Sequence, residues 1–443
     1  MHQVELHPRL TLDADLLYSR HQPVSKKSVE GLFRFPDIDD PRPFTGCPRC
    51  RAEGIAVNLT VALDLDARAG LTAKSFPTTP RSLWRFRDLL PVAGDRVISL
   101  DEGGTPLVPL ERIGRRLGLS RLYAKDESRN PTWSYKDRLC SVAITHAVES
   151  GARVIAISST GNHGASTAAY AARAGLPCVI FTLASVPDTM KTLMQAYGAA
   201  VIACATSEQR WRLMREGVER LGWYPTGGYV APPIGSNPFG IEGYKTLAFE
   251  VAEALDWTAP DLIAVPSSYG DGLYGIWKGM QELHTLKIVG SLPRMVAAEP
   301  FGSLADALEK KLETPERVEG GASVAFSIAS PQGTFQGLKA LRDSRGAGVR
   351  ITDEGVFEAQ RALAREEGLF VEPSSAAALT AVMQLRKTGA MEPDEVVVVV
   401  LTSGGLKDHA ASRAWLPAVP SAGDSFDDVL AVLRKSYGLE LDR

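Results

Sequence analysis

The sequence predicts an α/β protein built on parallel sheets, and three observations carry that expectation. Short β-branched runs alternate with longer Ala- and Leu-rich stretches of helical period from about residue 98 onward. The runs are apolar throughout and do not alternate, which suits strands covered on both faces. No internal repeat and no low-complexity segment interrupts the pattern. Taken in order, strands are expected at 154–157, 179–181, 201–203, 262–265, 295–298 and 396–401, with helices over 164–174 and 247–254. Residues 1–97 read differently. Pro36, Pro41 and Pro43 break the apolar pattern around Cys47-Pro48-Arg49-Cys50, as in a loop-rich extension or a small separate unit. After Pro417 and Pro420 the pattern resumes as a short helix over 425–436, with Asp424 placed to cap it.

Composition bounds the function classes. The 443 residues allow about three structural units at roughly 150 residues each. Hydrophobic residues make up 44% and charged residues 23%, which argues against disordered and fibrous chains. Lys and Arg total 49 against 52 acidic residues, so nothing calls for nucleic acid or an anionic membrane as partner. The longest pure apolar run, Val396–Leu401, is far short of the roughly 20 residues of a membrane helix. The first residues lack the layout of a secretory signal, and five cysteines do not make a disulfide scaffold. A cytoplasmic protein is expected.

Three segments carry candidate chemistry. In 125–138, Pro131 breaks the chain and a helix follows to about Val148. Lys136 then lies in the first helical turn, where the dipole disfavours a cation, as suits an amine that must react as a nucleophile. A solvated lysine paired with Asp137 or Glu127 is the alternative. In 158–164, Ser-Ser-Thr-Gly-Asn-His-Gly follows a strand and opens a helix, so its hydroxyls and N–H groups suit a carboxylate or phosphate. An ordinary capped connection, with His163 structural, reads equally well there. In 266–275, Gly270, Gly272 and Gly275 match G-x-G-x-x-G, with Glu299 as a possible ribose acid. That leaves open a dinucleotide-dependent oxidoreductase. The same loop also suits a single phosphate held on N–H groups, Ser267 and Ser268.

Together the segments resemble the fold-type II family of pyridoxal-phosphate enzymes, the tryptophan synthase β-like group, and within it the threonine synthases most. The resemblance opens at Glu102-Gly103-Gly104-Thr105-Pro106-Leu107 and continues through Asn130-Pro131-Thr132-x-Ser134-x-Lys136-Asp137-Arg138. Ser159-Thr160-Gly161-Asn162, the loop before Ile276, Glu372-Pro373-Ser374-Ser375 and Leu401-Thr402-Ser403-Gly404-Gly405-Leu406-Lys407-Asp408 complete it. It implies pyridoxal 5'-phosphate as cofactor, Lys136 as Schiff-base lysine and later base at Cα, and Asn162 on the cofactor's phenolic oxygen. Ser267, Ser268, Gly270, Asp271, Gly272 and Leu273 would form the phosphate loop, and Thr402 would face the pyridine nitrogen. Ser159, Thr160, Gly161, His163 and Asn237 would surround the substrate. A small amino acid with a β or γ leaving group, reacting by elimination or replacement through the external aldimine, and a homodimer are implied as well. A non-catalytic relative is the remaining class.

The implied architecture has a large domain from 98–138 and 250–443, a small substrate domain from 139–249 and the cofactor in the cleft between. Departures bear on the substrate. Gly240 stands where threonine synthases carry a phosphate-binding arginine, leaving Arg129 or Lys245 to replace it. Trp133 replaces a glycine and is expected to narrow the pocket, and Asp271 puts an acid in the phosphate loop. His163 brings the motif closer to dehydratases, racemases and ammonia-lyases such as diaminopropionate ammonia-lyase, and a cysteate-synthase-like reaction is a further alternative. Cys47 and Cys50 resemble half of a zinc ribbon; a tetrahedral site needs four ligands, so no metal is expected.

Overall fold

Each apolar run read from the sequence becomes a parallel strand. The computed structural model describes residues 10–12, 42–186, 188–413 and 415–441. Its strands are β1 (Leu10–Leu12), β2 (Val61–Leu63), β3 (Leu107–Pro109), β4 (Arg121–Asp126), β5 (Ile155–Ser158) and β6 (Cys178–Leu183). They continue as β7 (Ala200–Cys204), β8 (Tyr224–Pro225), β9 (Leu262–Pro266), β10 (Arg294–Glu299), β11 (Ala347–Arg350) and β12 (Val396–Leu401). β1 and β2 pair antiparallel. The larger sheet has the order β11–β10–β9–β12–β4–β3 and is parallel except at the β3–β4 edge. The smaller sheet, β7–β6–β5–β8, is parallel throughout. Its strands all lie between β4 and β9 in the chain, so the larger sheet is begun, interrupted and resumed.

The central strands show why alternation is missing from their sequences. Ile263 and Val265 of β9, with Val398 and Val400 of β12, pack into one core beside Phe249, Leu273 and Trp277. Leu262, Ala264, Val397 and Val399 face the other way into a second core with Val356 and Leu379. Both faces are buried, so both need apolar side chains, each contributing about 1.5–3 kcal/mol for a Val or Leu.

Residues 42–97 are rich in loops, but they are not a separate unit. Phe76, Phe86 and Leu89 join the first core with Phe249, Leu83 and Leu90 pack on Val142, and Cys47, Cys50, Val57 and Leu59 pack on Phe239 and Phe335. Too few apolar residues are present for a private core, so the segment spreads over its neighbours. The C-terminal helix is Phe426–Tyr437, one residue displaced from the expected span. Its cap is Ser425, which shares a capping box with Asp428, and not Asp424. No described helix is long and apolar enough to cross a membrane.

Candidate active site

Lys136 is the first residue of the helix Lys136–Glu149. The polar loop before it is buried, which is tolerable only if its groups are paired. Arg138 donates to Glu127 at 2.7 and 2.8 Å and to Glu250 at 2.8 and 2.7 Å, and Lys125 Nζ reaches Glu250 at 2.7 Å. Asn130 Nδ2 donates to Glu127 at 2.8 Å. Asp137 accepts from Thr132 N and Oγ1 and from Ser166, and Lys407 Nζ donates to Thr132 O at 2.6 Å. Burial pushes the Asp137 carboxyl up to about 6 and the Lys407 ammonium down to about 8. Lys136 is therefore presented from a fixed loop, with Nζ hydrogen-bonded to the Tyr244 hydroxyl at 2.9 Å. The rings of Tyr135 and Tyr244 stand 4.9 Å apart beside it.

Two further strand ends complete the floor. After β5, Ser159 Oγ accepts from Gly161 N and Gly164 N, which fixes the turn into the helix Asn162–Ala174. Asn162 Nδ2 donates to Glu372 at 3.0 and 3.2 Å, and Ser403 Oγ donates to Asn162 Oδ1. Burial pushes the Glu372 carboxyl up to about 7. Beyond β12, the Thr402 hydroxyl bonds Ser375 at 2.9 Å.

The third loop follows β9. Gly270 turns the chain at φ +95°, and a Cβ there would lie 2.6 Å from Gly337 Cα, so only glycine fits. The helix Asp271–Thr285 then begins with no side-chain cap. Among the described residues, the backbone N–H groups of 268–273 have no hydrogen-bond partner, an arrangement suited to a phosphate. Asp271 does not obstruct it. Its Oδ2 accepts from Ser236 N and Oγ at 3.2 and 2.7 Å, so the carboxyl turns onto Ser236, and burial raises its pKa. Gly275 is a packing glycine, where a Cβ would meet Tyr244 Cβ at 2.6 Å and Ile241 O at 2.8 Å; it does not shape a dinucleotide turn.

These loops enclose one cavity of about 990 Å³. Lys136, Ser159, Thr160, Gly161, Asn162, His163, Ser267, Ser268, Gly270, Asp271, Gly272 and Thr402 all line it. Leu273 and Asn237 do not. Leu273 belongs to the first core, leaving only its N–H toward the loop. Asn237 caps the helix Pro238–Ile241, accepting from Phe239 N and Gly240 N at 3.0 Å, so its polar atoms are spent on backbone. Gly240 also faces away: a Cβ there would lie 2.9 Å from Leu139 Cγ. Arg129 pairs with Asp126, and Lys245 with Glu242 and Glu282, so neither expected substitute reaches the cavity. Trp133 leaves the pocket as wide as before, because it is 49% exposed and lies outside the lining.

Sequence reasoning missed Tyr244, Glu372, Arg210 and Arg317. Glu372 was visible in its motif but without a role; the others reach the site only through tertiary packing. Five buried polar atoms on the lining lack a partner: Ser158 Oγ, His163 Nε2, Arg210 Nε, Asp271 Oδ1 and Ser327 Oγ. Native buried polar groups are nearly all satisfied, so this concentration among the described residues sets the lining apart. A cradle of free N–H groups, a lysine amine, an oriented amide and a neutral hydroxyl are the donor set that pyridoxal phosphate needs. Apart from this site, Cys50 N donates to Cys47 Sγ at 3.3 Å, and no third cysteine, histidine or carboxylate joins the pair among the described residues.

Comparison with known proteins agrees. Residues 98–403 match the family model described as pyridoxal-phosphate dependent enzyme. The chain is 36% identical to a threonine synthase of Methanocaldococcus jannaschii, over 75% of this chain and 82% of the relative. It is 34% identical to a threonine synthase of Halalkalibacterium halodurans, over 77% of this chain and 94% of the relative. Among solved structures, maize serine racemase superposes with a TM-score of 0.61 at 22% identity, over 70% of this chain and 91% of that one. The processed threonine deaminase isoform 2 of Solanum lycopersicum gives 0.60 at 18% identity, over 70% and 83%, a likeness of fold alone.

Proposed function

The chain belongs to the pyridoxal-phosphate-dependent enzymes of fold type II, and from that premise we propose a threonine synthase-like lyase acting on a small amino acid with a γ leaving group. The observation that carries this reading is the convergence of Lys136, the 268–273 N–H cradle, Asn162 and Thr402 on one cavity. Bound pyridoxal phosphate supplies the electron sink that makes a Cα proton removable. Lys136 would hold the cofactor and serve as the base that moves the proton at Cα, its amine oriented by the Tyr244 hydroxyl. Glu372 holds Asn162 in place, where its amide would meet the cofactor. Ser267, Ser268 and the free N–H groups take the phosphate, and Thr160, Gly161 and His163 take the substrate carboxylate. Thr402 would offer the ring nitrogen a neutral hydroxyl, which disfavours transamination and suits elimination. The walls exclude water from reactive species.

Purified enzyme is expected to release phosphate from O-phosphohomoserine and form threonine, with the cofactor fixed to Lys136 by borohydride. His163, which lines the cavity and whose buried Nε2 has no partner, favours a second reading, β-elimination. Ketoacid and ammonia from serine, threonine or diaminopropionate, without phosphate release, would establish it. The division into 98–138 with 250–443 and 139–249 is proposed on the grouping of strands, and cytoplasmic residence on five free, buried cysteines. A homodimer is proposed from the family alone, and light scattering tests it.

A further inference from the structure

Gly240 packs against a helix, and Arg129 and Lys245 are bound elsewhere, so the cavity's other cations decide what it selects. Besides Lys136, four arginines line it: Arg210, Arg212, Arg215 and Arg317. Two are committed. Arg212 pairs with Glu216 at 2.8 Å, and Arg215 donates to Tyr229 O at 3.3 Å. Arg210 and Arg317 have no side-chain hydrogen bond or ion pair among the described residues, and Arg210 Nε is buried with no partner at all. With no described protein acceptor on either guanidinium, both are available to an anionic ligand in the cavity.

The two arginines come from different parts of the fold. Arg210 lies in the first turns of the helix Ser207–Leu221, which packs on β5 and β6. Arg317 lies between β10 and β11 of the larger sheet, on an exposed stretch. Tyr269 of the phosphate loop sits within the field of both. Of the acids on the lining, Asp271 is bound to Ser236 and Glu372 to Asn162. Glu208 is exposed and held by its own backbone N–H and Thr206; it lies within the field of both arginines but forms no ion pair with either among the described residues. A singly charged ligand group would leave one of the two cations unmatched.

We propose that Arg210 and Arg317 determine specificity by jointly taking a doubly charged distal group, a phosphoryl ester, on the amino-acid substrate. This rests on the lyase reading and deepens it: the floor reacts with any small amino acid, and the arginine pair selects the phosphorylated one.

The test is titration of the holoenzyme with O-phospho-L-homoserine, L-homoserine and L-aspartate, followed by the visible absorbance of the bound cofactor. The protein is compared with Arg210→Gln, Arg317→Gln and Arg210→Lys. Arg210→Gln is expected to weaken O-phospho-L-homoserine by roughly 10- to 100-fold while leaving L-homoserine within about 2-fold. Arg317→Gln is expected to act in the same direction, more weakly and with steeper salt dependence, because it is exposed. Arg210→Lys should recover part of the loss. Equal weakening of all three ligands, or none, overturns the arginine subsite and leaves the lyase reading standing. A loss for L-aspartate as large as that for the phosphate ester overturns the double charge. If no amino acid changes the spectrum of the unaltered holoenzyme, the lyase reading falls, and this proposal with it.

Discussion

In the loops that carry Lys136, the buried cations around it are held in place. Arg138 is held by Glu127 and Glu250, Lys125 by Glu250, and Lys407 by the Thr132 carbonyl. At the mouth, Arg210 and Arg317 have no such partner. Matched charges hold a loop still, which the chemistry at Lys136 requires; unmatched ones wait for a ligand. The division assigns reaction to the floor and selection to the mouth, so variants in the two regions should fail differently.

The largest effect is expected from Lys136→Ala. Turnover should fall on the order of 10³-fold or more, with borohydride labelling lost. Retention of a tenth of the activity would break the assignment of chemistry to the floor. Next is Glu250→Ala, which leaves Lys125 buried without its carboxylate and Arg138 with Glu127 alone. It should cost about 3–5 kcal/mol in urea unfolding, against about 0.5 kcal/mol or less for Arg210→Ala. Comparable costs for the two would erase the contrast.

Glu372→Gln tests the floor through pH. Burial raises the Glu372 carboxyl from its ordinary 4.5 to about 7, so the folded state binds more protons than the unfolded state between those values. Stability should therefore fall as pH rises across that window. Gln in its place should flatten the fall, measured by unfolding at successive pH values; an unchanged slope assigns it to other groups. The smallest effect belongs to Trp133, which holds φ +57° while 49% exposed. Trp133→Gly should relieve about 1 kcal/mol of left-handed strain with turnover unchanged. A loss of activity would place the indole in the reaction after all.

What the sequence disclosed follows how local each signal is. β9 and β12 were legible because burial on both faces makes them apolar throughout. β4 was not, because it ends in Lys125 and Asp126, buried charges whose partners include Glu250, far along the chain. Lys136, Asn162 and Thr402 were legible because each sits at the end of a motif. Arg210 has no local signature, since a helix fixed by tertiary packing brings it to the cavity, and Tyr244 meets Lys136 only through the fold. Asn237 misled for the same reason: its motif is intact, but the side chain caps a helix.

The strand order has a consequence for synthesis. β12 is the last described strand in chain order, yet it lies between β4 and β9. Until Val396–Leu401 emerges, β4 and β9 each keep an unpaired edge, and the nascent protein holds two incomplete sheet fragments. Thr402 follows directly, so the final strand both closes the sheet and delivers the last piece of the site. A chain stopped short of β12 therefore lacks Thr402 as well as the central strand, which couples cofactor capture to the synthesis of β12.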